Sequence, residues 1–388
     1  MRRKIPDEIL AGDIDAKMRY FDLQFVHHHN LDEAVDKLLG KILQAGPDTL
    51  IYLIAPGATG KSTAKKATKK ALLGKFKDEL ARDKGRLLFV DYTMRSPNIL
   101  TTWPEAFRGA LYAAGEPLVE CKIPLSRFPA ELVSPKQRKA SDCFHRSYLN
   151  LLDNRHPLVA FWDNANFLMK TKSRDTQWLL DPLIGMCEST PHVLIGTPLL
   201  LTLRNVTLQV GWRSEDIFLH TYHCSDLTDQ KHFALALIGF EEILPVPERP
   251  DLVSYIKYLM KGSVGSVGLL RRWLRPALKV ALDEKSKTIT LKHLERTAHS
   301  FGKLKDAANE IATFENTVLN GEKAACEAAM SNLEDVEKQI MAQQAKEAGA
   351  EGENEKIQPR GTRRKTAVGE RAPCRDPIGI PKEFQKSA

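Results

Sequence analysis

The segment at 55–62 constrains the fold of this chain more than any other. Its sequence is Ala-Pro-Gly-Ala-Thr-Gly-Lys-Ser; a short apolar run that predicts a buried strand leads into it, and a helix candidate at 61–74 follows. Small residues between a strand and a helix allow backbone N–H groups to point inward at phosphate oxygens, and a helix N-terminus attracts anions. The segment therefore predicts a loop that wraps the phosphates of a nucleotide.

The residue types in this loop match the chemistry of a magnesium-bound triphosphate. Gly60 lets the chain approach the phosphates closely, Lys61 reaches the β- and γ-phosphates, and Ser62 offers a hydroxyl to Mg²⁺. The first position of the motif is Ala55, and alanine is the next smallest residue after glycine. The expected phosphate-binding residues are Pro56, Gly57, Ala58, Thr59, Gly60, Lys61, Ser62 and Thr63.

A second apolar run, at 158–163, ends in the acid that such a site needs. A carboxylate at the end of a neighbouring strand holds the water shell of the metal. We expect Asp163 to serve in this way and to form the metal site together with Ser62. The alternative is an aspartate that only caps the next turn.

The residue after Asp163 departs from the pattern of hydrolytic ATPases, which usually place a glutamate there to orient or deprotonate the attacking water. Here the residue is Asn164, followed by Ala165 and Asn166. An amide can position a water molecule, but it cannot take a proton. We therefore expect nucleotide binding with slow hydrolysis, unless another acid reaches the water.

Strands and helices alternate on both sides of these motifs. Strands are predicted at Leu50 to Ala55, Leu87 to Asp91, Leu158 to Asp163, Val193 to Thr197 and Ile217 to His220. Helices are predicted between them at 61–74, 103–114, 139–153 and 175–188. This alternation is typical of an α/β fold in which helices cover both faces of a parallel sheet.

Changes in pattern divide the chain into four parts. Residues 1–45 form an N-terminal extension that ends in an amphipathic helix, Leu31 to Leu43, and 46–225 form the nucleotide-binding αβ domain. Residues 226–320 form a small all-helical domain, with periodic segments at 227–240, 250–261, 266–282 and 290–315. The charged tail, 321–388, is expected to begin with an exposed helix at 322–346 and to be disordered over 347–388.

Composition excludes several classes of protein. No apolar run among the 388 residues approaches the roughly 18–20 residues of a membrane span, and the N-terminus lacks the apolar stretch of a secretory signal. The six cysteines are scattered without a CxxC pair, which disfavours a disulfide scaffold or a zinc finger. We expect a cytoplasmic protein without a membrane partner.

The net charge of +8 is unevenly distributed. Residues 61–86 hold ten Lys and Arg against three acids, and 271–305 also hold ten against three. In the tail, 321–355 is acidic and 356–388 is basic. Basic helices often mark a surface that binds a polyanion, although a solvated helix face that keeps a protein in solution explains either patch equally well.

Taken together, these motifs resemble those of the AAA+ ATPases, and most of all the TnsC/TniB-type regulators of DNA transposition. The resemblance runs from about Phe25 to residue 300. It rests on the lead-in Asn-Leu-Asp-Glu-Ala at 30–34, the phosphate loop, the Ile-Gly-Thr-Pro segment at 195–198, and Gly-Ser-Val-Gly-Leu-Leu-Arg at 265–271. It implies a P-loop NTPase (AAA+) fold with a helical lid domain, and ATP and Mg²⁺ as cofactors.

The resemblance also implies roles for residues outside the loop. Thr197 matches a sensor at the end of its strand, although it also fits a turn before Pro198. Arg271 matches a second sensor of the γ-phosphate, although it also fits a DNA-facing or solvated charge. An arginine from a neighbouring subunit completes the site in AAA+ assemblies; Arg213 is the first choice for it and Arg204 the second.

The function that this resemblance implies is an ATP-dependent, oligomerising and sequence-nonspecific DNA-binding regulator of transposition. Its partners would be double-stranded DNA, further copies of itself in a ring or helical filament, transposase subunits and a target-selector protein. Two alternatives stay open: a replication initiator or helicase loader of the AAA+ type, and a signalling or scaffold NTPase without a DNA role.

Overall fold

The computed structural model describes residues 5–83, 85–95, 103–121, 140–169, 177–204, 210–211 and 213–318. Contacts divide the chain into two units, Met1–Gly321 and Glu322–Ala388, and every described residue belongs to the first. The helix expected at 322–346 and the disorder expected over 347–388 lie outside the described residues. No helix within the described ranges has the length and apolarity that a bilayer crossing requires.

A parallel sheet of five strands, in the order β2-β3-β4-β1-β5, lies at the centre of the αβ domain. The strands are β1 Leu50–Ile54, β2 Phe89–Thr93, β3 Val159–Asp163, β4 His192–Gly196 and β5 Ser214–Phe218. Strands β1, β3 and β4 are buried along their whole length, because helices cover both faces of the sheet. The predicted fold class is therefore confirmed.

Helices surround the sheet and then form the lid domain. They are α1 Asp7–Ala11, α2 Ile14–Leu23, α3 His29–Gln44, α4 Lys61–Lys75, α5 Lys77–Arg82, α6 Trp103–Ala113, α7 Ala140–Arg155, α8 Gln177–Cys187, α9 Leu200–Arg204, α10 Leu227–Ile243, α11 Ile256–Gly262, α12 Val267–Asp283, α13 Leu291–Arg296 and α14 at 301–318. The helices predicted at 61–74, 103–114, 139–153 and 175–188 correspond to α4, α6, α7 and α8.

The last strand begins three residues earlier than the sequence predicts. The prediction placed it at Ile217 to His220, whereas β5 is Ser214–Phe218. Its first half is polar because β5 lies at the edge of the sheet, where Glu215 pairs with Lys41 of α3 at 2.6 Å. Polar residues on an edge strand do not form the apolar run from which a strand is predicted, so only the buried end of β5 was predicted.

The periodic segment at 290–315 is two helices, α13 and α14, and not one. The carbonyl groups at the end of α13 find other donors. The indole N–H of Trp273 donates to the carbonyl of Leu294 at 2.9 Å, and the hydroxyl of Thr297 donates to the carbonyl of His293 at 2.8 Å. Because side chains add hydrogen bonds to these terminal carbonyls, the chain can turn before α14 begins.

The N-terminal extension packs into the core of the lid domain. Met18, Phe21 and Val26 belong to the same apolar cluster as Phe240 and Trp273. The amphipathic helix expected at 31–43 is α3, which packs instead against the sheet and α4. The segment before α3 therefore connects the lid domain to the αβ domain.

Candidate nucleotide-binding site

The phosphate loop has the backbone geometry that an anion cradle requires. It leaves β1 at Ala55 and ends at Gly60, which is the N-cap of α4 and has a left-handed φ of 111°. A side chain would be strained in that conformation, so glycine is needed there. The N–H groups of Lys61 and Ser62 precede the first bonds of α4, which Thr63 and Ala64 donate to the carbonyl of Gly60, and they are available to phosphate oxygens. Ser62, in this first turn, is exposed.

Lys61 lies at the centre of the loop. Its ammonium donates to the carbonyl oxygens of Ala55 at 2.7 Å and Pro56 at 2.6 Å. Burial lowers the pKa of Lys61 to about 8, and the carboxylates of Glu310 and Asp163 act in the opposite direction. A partly buried cation that contacts carbonyl oxygens but forms no ion pair among the described residues favours the arrival of an anion.

A cavity of about 540 Å³ opens directly over the loop. Strand register places Ile54 of β1 beside Gly196 of β4, and Ile195 beside Asp163 of β3, so the carboxyl ends of these strands are level. The lining residues are Gly57, Ala58, Gly60, Lys61, Ser62, Thr63, Asn164, Asn166, Thr197, Gly268, Arg271, Arg272 and Arg275. The structure thus brings Thr197, Asn164 and Arg271 to the loop, where sequence reasoning placed them.

Asp163 belongs to a buried charge network that the sequence did not predict. Its Oδ2 lies 2.8 Å from the ammonium of Lys65, and both side chains are only 6% exposed. Lys65 also pairs with Asp91 at 3.0 Å, and Lys69 pairs with Asp91 on the same side of α4. Burial alone raises the pKa of Asp91, but hydrogen bonds from Lys69 and Lys65 outweigh it and leave this pKa lowered.

The donor set fits a magnesium-bound triphosphate. The hydroxyl of Ser62 is exposed at the start of α4, and Asp163 ends a strand at the same edge of the sheet. Hydroxyl and carboxylate oxygens are the ligands that Mg²⁺ prefers. One oxygen of Asp163 is held by Lys65, and the other accepts the backbone N–H of Asn164 at 2.9 Å, which fixes the carboxylate in place.

Asn164 has a left-handed backbone, with φ of 59°. Asparagine tolerates this conformation better than most residues. Its side-chain amide donates to the carbonyl of Met94 at 3.3 Å, and the residue lines the cavity. The conformation gives a reason for an asparagine at this position that does not depend on hydrolysis.

Arg271 lines the cavity, but its guanidinium holds the end of α2. It donates to the carbonyls of Phe21, Asp22 and Gln24 at 2.7–2.8 Å. Arg272 is exposed and lines the same cavity. Lid helix α12 therefore presents two adjacent arginines, of which Arg271 ties the lid to the N-terminal extension.

Arg213 and Arg204 lie away from the cavity. Arg213 precedes β5, and its carbonyl accepts the N–H of Leu50, the first residue of β1. The phosphate loop follows the carboxyl end of β1, whereas Arg213 lies beside its amino end, on the opposite side of the sheet along the strand direction. Its guanidinium pairs with Asp48 at 3.4 Å, and that of Arg204 pairs with Asp216 at 3.0 Å. Arg213 therefore cannot reach the loop of its own chain.

The lid domain touches the loop through its glycine-containing turn. The hydroxyl of Ser266 donates to the carbonyl of Ala58 at 2.9 Å. A Cβ on Gly268 would lie 1.8 Å from that same carbonyl oxygen, and one on Gly265 would lie 1.8 Å from the carbonyl oxygen of Tyr222. These glycines are needed because the lid backbone approaches the loop and the segment after β5 so closely.

Only part of the first basic patch is available to a partner. Lys65 and Lys69 face the sheet and are engaged by acids, whereas the other side of α4 is solvated. Among the described residues of α4 and α5, five exposed cations have no acidic partner: Lys66, Lys70, Lys75, Lys77 and Arg82.

Comparisons with known proteins bear on the fold. No protein-family model matches the chain, and no curated protein matches its sequence. Among solved structures, the chain is similar to the ORC2 protein of Aeropyrum pernix in ADPNP–ADP complexes, with 14% identity, 72% of this chain and 70% of that chain covered, and a TM-score of 0.50. The chain is also similar to the ORC1 protein of the same organism in complex with DNA, with 15% identity, 72% of this chain and 68% of that chain covered, and a TM-score of 0.49. At this identity the likeness concerns the fold alone.

The parallel sheet, the phosphate loop and the helical lid together define a P-loop NTPase fold of the AAA+ type.

Proposed function

We propose that the chain binds Mg²⁺-ATP at this loop and acts as an oligomerising, sequence-nonspecific DNA-binding regulator of transposition, linking a targeting factor to a transposase. The observation that carries the nucleotide part is the phosphate loop, which lies with its partly buried Lys61 at the base of a cavity of about 540 Å³. The transposition role rests on the resemblance of the motifs to TnsC/TniB-type regulators.

In this proposal the residues of the cavity divide the work. Lys61 and the N–H groups of 57–63 bind the phosphates, Ser62 and Asp163 hold Mg²⁺, and Thr197 contacts the γ-phosphate or the water. When bound, Mg²⁺ neutralises charge that develops on the phosphoryl oxygens. Asn164 positions a water molecule but accepts no proton, which makes hydrolysis slow.

Assembly would complete the site from the neighbouring copy. Arg213 lies at the amino ends of the strands, away from the phosphate loop of its own chain. It can therefore contact only a nucleotide that is bound to another chain. An arginine fork matches the charge and shape of phosphoryl oxygens. ATP would then bridge two copies and favour an oligomer, which loss of the γ-phosphate would weaken.

The solvated side of α4 is the surface we assign to the DNA backbone. Replacing Lys66 and Lys70 together by glutamine should weaken binding of any duplex sequence and lower the slope of log affinity against log salt by about 2, since each lost phosphate contact accounts for about 0.9. Fluorescence anisotropy with duplex DNA, with and without a slow ATP analogue, measures both quantities.

A matched control for this pair is available on the lid. Lys257 and Lys261 are also exposed and also four residues apart, on helix α11. Their double glutamine variant should bind DNA like the unaltered protein. Equal losses in the two double variants would mean that net charge, and not the α4 surface, governs binding. DNA affinity indifferent to ATP analogues would contradict the proposed ATP dependence.

Asn164→Glu should raise ATP turnover, because it supplies the carboxylate that a general base requires. The general-base contribution is about 10²–10⁴-fold, and even a partial gain is measurable as phosphate release. The left-handed backbone makes glutamate less favourable there by about 1–2 kcal/mol, so unfolding should be followed in parallel. A properly folded variant with unchanged turnover would show that the missing acid does not limit hydrolysis.

Nucleotide affinity should depend on pH through Lys61. Below pH of about 8 the ammonium is charged; above it the ligand-free protein loses the proton, as its lowered pKa dictates. Phosphates favour the charged form, so affinity should be level below this pH and fall above it by at most about tenfold per pH unit. Lys61→Arg should remove the fall because arginine stays protonated. An affinity that rises with pH would contradict the assignment.

The AAA+ fold serves a replication initiator or helicase loader equally well, and a scaffold NTPase without DNA is the remaining alternative. Electron microscopy of the protein with duplex DNA distinguishes them, in the presence and absence of a slow ATP analogue. ATP-dependent assemblies that coat DNA and retain a transposase subunit favour the regulator. Co-purification with a replicative helicase favours the loader, and an oligomer size insensitive to ATP and DNA favours the scaffold.

A further inference from the structure

Helix α14 places a carboxylate on the phosphate loop. Oε1 of Glu310 accepts the backbone N–H of Gly57 at 2.8 Å, although the two residues are 253 positions apart in the chain. Oε2 of Glu310 lies 3.1 Å from where a Cβ on Gly57 would be, so the carboxylate rests directly on the glycine. Its charge also acts on the pKa of Lys61, in the upward direction.

The position of Glu310 is set by the helix that carries it. Phe314, one turn later, is fully buried, with its ring 5.9 Å from that of Phe218 and 5.6 Å from that of His220. Ile311 is also buried, and Glu315 pairs with His223 at 2.9 Å. These contacts fasten α14 across the end of β5, beside the loop.

The carboxylate of Glu310 occupies the loop as a phosphate would, because it is an anion that accepts a backbone N–H. A phosphate loop binds its ligand with backbone N–H groups and a lysine, and Glu310 offers a carboxylate to one of those N–H groups. Two anions cannot share such a site without repulsion. The charge of Asp163 is offset by Lys65 at 2.8 Å. Glu310 differs, because no Lys or Arg pairs with it among the described residues.

We propose that Glu310 is an internal competitor of the terminal phosphate, so that a triphosphate must displace this carboxylate and break the contact that ties helix α14 to the loop. The inference rests on the proposed binding of a nucleotide at this loop. It makes α14 the element that distinguishes the triphosphate state from the diphosphate state. The chain continues from α14 into the charged tail, so the same helix is the covalent link between the nucleotide site and that segment.

Glu310→Gln tests the competition, because it keeps the size of the side chain and removes its charge. We expect affinity for a slow ATP analogue to rise by about fivefold or more, the lower end of typical couplings between sites, and affinity for ADP to change less. Asp306→Asn, one turn earlier on the same helix, removes an exposed carboxylate for which the described residues show no contact with the loop; it is the matched control and should bind like the unaltered protein. Titration calorimetry of the full chain measures the affinities of all three proteins for both nucleotides.

Hydrogen exchange supplies a second measurement. Addition of the ATP analogue to the unaltered protein should increase exchange of the α14 amides. Addition of ADP should increase it less. Equal ATP affinities for Glu310→Gln and the unaltered protein, or no change in α14, would overturn the inference while leaving nucleotide binding in place. Unchanged affinity with lost hydrolysis would instead assign Glu310 to the attacking water. Absence of binding in every variant would contradict the proposed function itself.

Discussion

Lys65→Met is expected to lower the free energy of unfolding by about 3–5 kcal/mol, the usual cost of removing one partner from a buried ion pair. Lys65 and Asp163 are each only 6% exposed at the side chain, and the same ammonium contacts Asp91. Methionine fills a similar volume but leaves Asp163 without its cation, next to Asp91, which keeps only Lys69. Desolvation and like-charge repulsion would then both oppose folding. Chemical denaturation followed by circular dichroism measures the loss.

The neighbouring residue supplies the control for this change. Lys66 is on the same helix, is exposed and makes no ion pair among the described residues. Lys66→Met should therefore change stability by about 0.5 kcal/mol or less. If the two methionine variants were equally stable, the network around Asp163 would not be the buried structural unit that the geometry indicates.

Lys61→Ala is expected to abolish measurable ATP binding. Truncating one partner of a buried, hydrogen-bonded charge contact costs about 2–5 kcal/mol, which is roughly 30-fold or more in affinity. Stability should be nearly unchanged, because burial already disfavours the charge of Lys61, as its pKa of about 8 indicates. Nucleotide titration monitored by calorimetry, alongside thermal unfolding without nucleotide, measures both effects.

Lys70→Ala is the matched control, since this lysine lies on the exposed side of the same helix. Its ATP affinity should equal that of the unaltered protein. Nucleotide-dependent assembly that survives Lys61→Ala would remove this lysine from the role assigned to it. Simultaneous loss of folding would show that the two carbonyl contacts of Lys61 hold the loop together.

Local patterns were sufficient to predict a parallel sheet covered by helices. Strands β1, β3 and β4 are buried on both faces and apolar except at Asp163 and His192, and the loop between β1 and α4 has a motif whose residue types follow from phosphate chemistry. The start of the fifth strand was misplaced, and the break after α13 was not predicted. At both places, polar side chains and contacts from distant residues decide where a strand or helix begins or ends. A periodic pattern of apolar residues holds no information about such contacts.

The candidate site could be predicted only where its residues lie close together in the sequence. Lys65 gave a weak signal, since it is four residues after Lys61 and so lies on the same side of α4, but its pairing with Asp163 depends on the strand order. The contacts of Arg271 with the end of α2 and of Glu310 with Gly57 join residues more than 240 positions apart. No local pattern encodes such distances, so these required the three-dimensional structure.

The central claim is that a nucleoside triphosphate binds at the loop between β1 and α4. Isothermal titration calorimetry of the full chain with ATP, over a range of magnesium concentrations, tests it most directly. The account predicts a heat of binding with one site per chain, absent in Lys61→Ala. No heat of binding at any magnesium concentration, either in the unaltered protein or in Glu310→Gln, would contradict it.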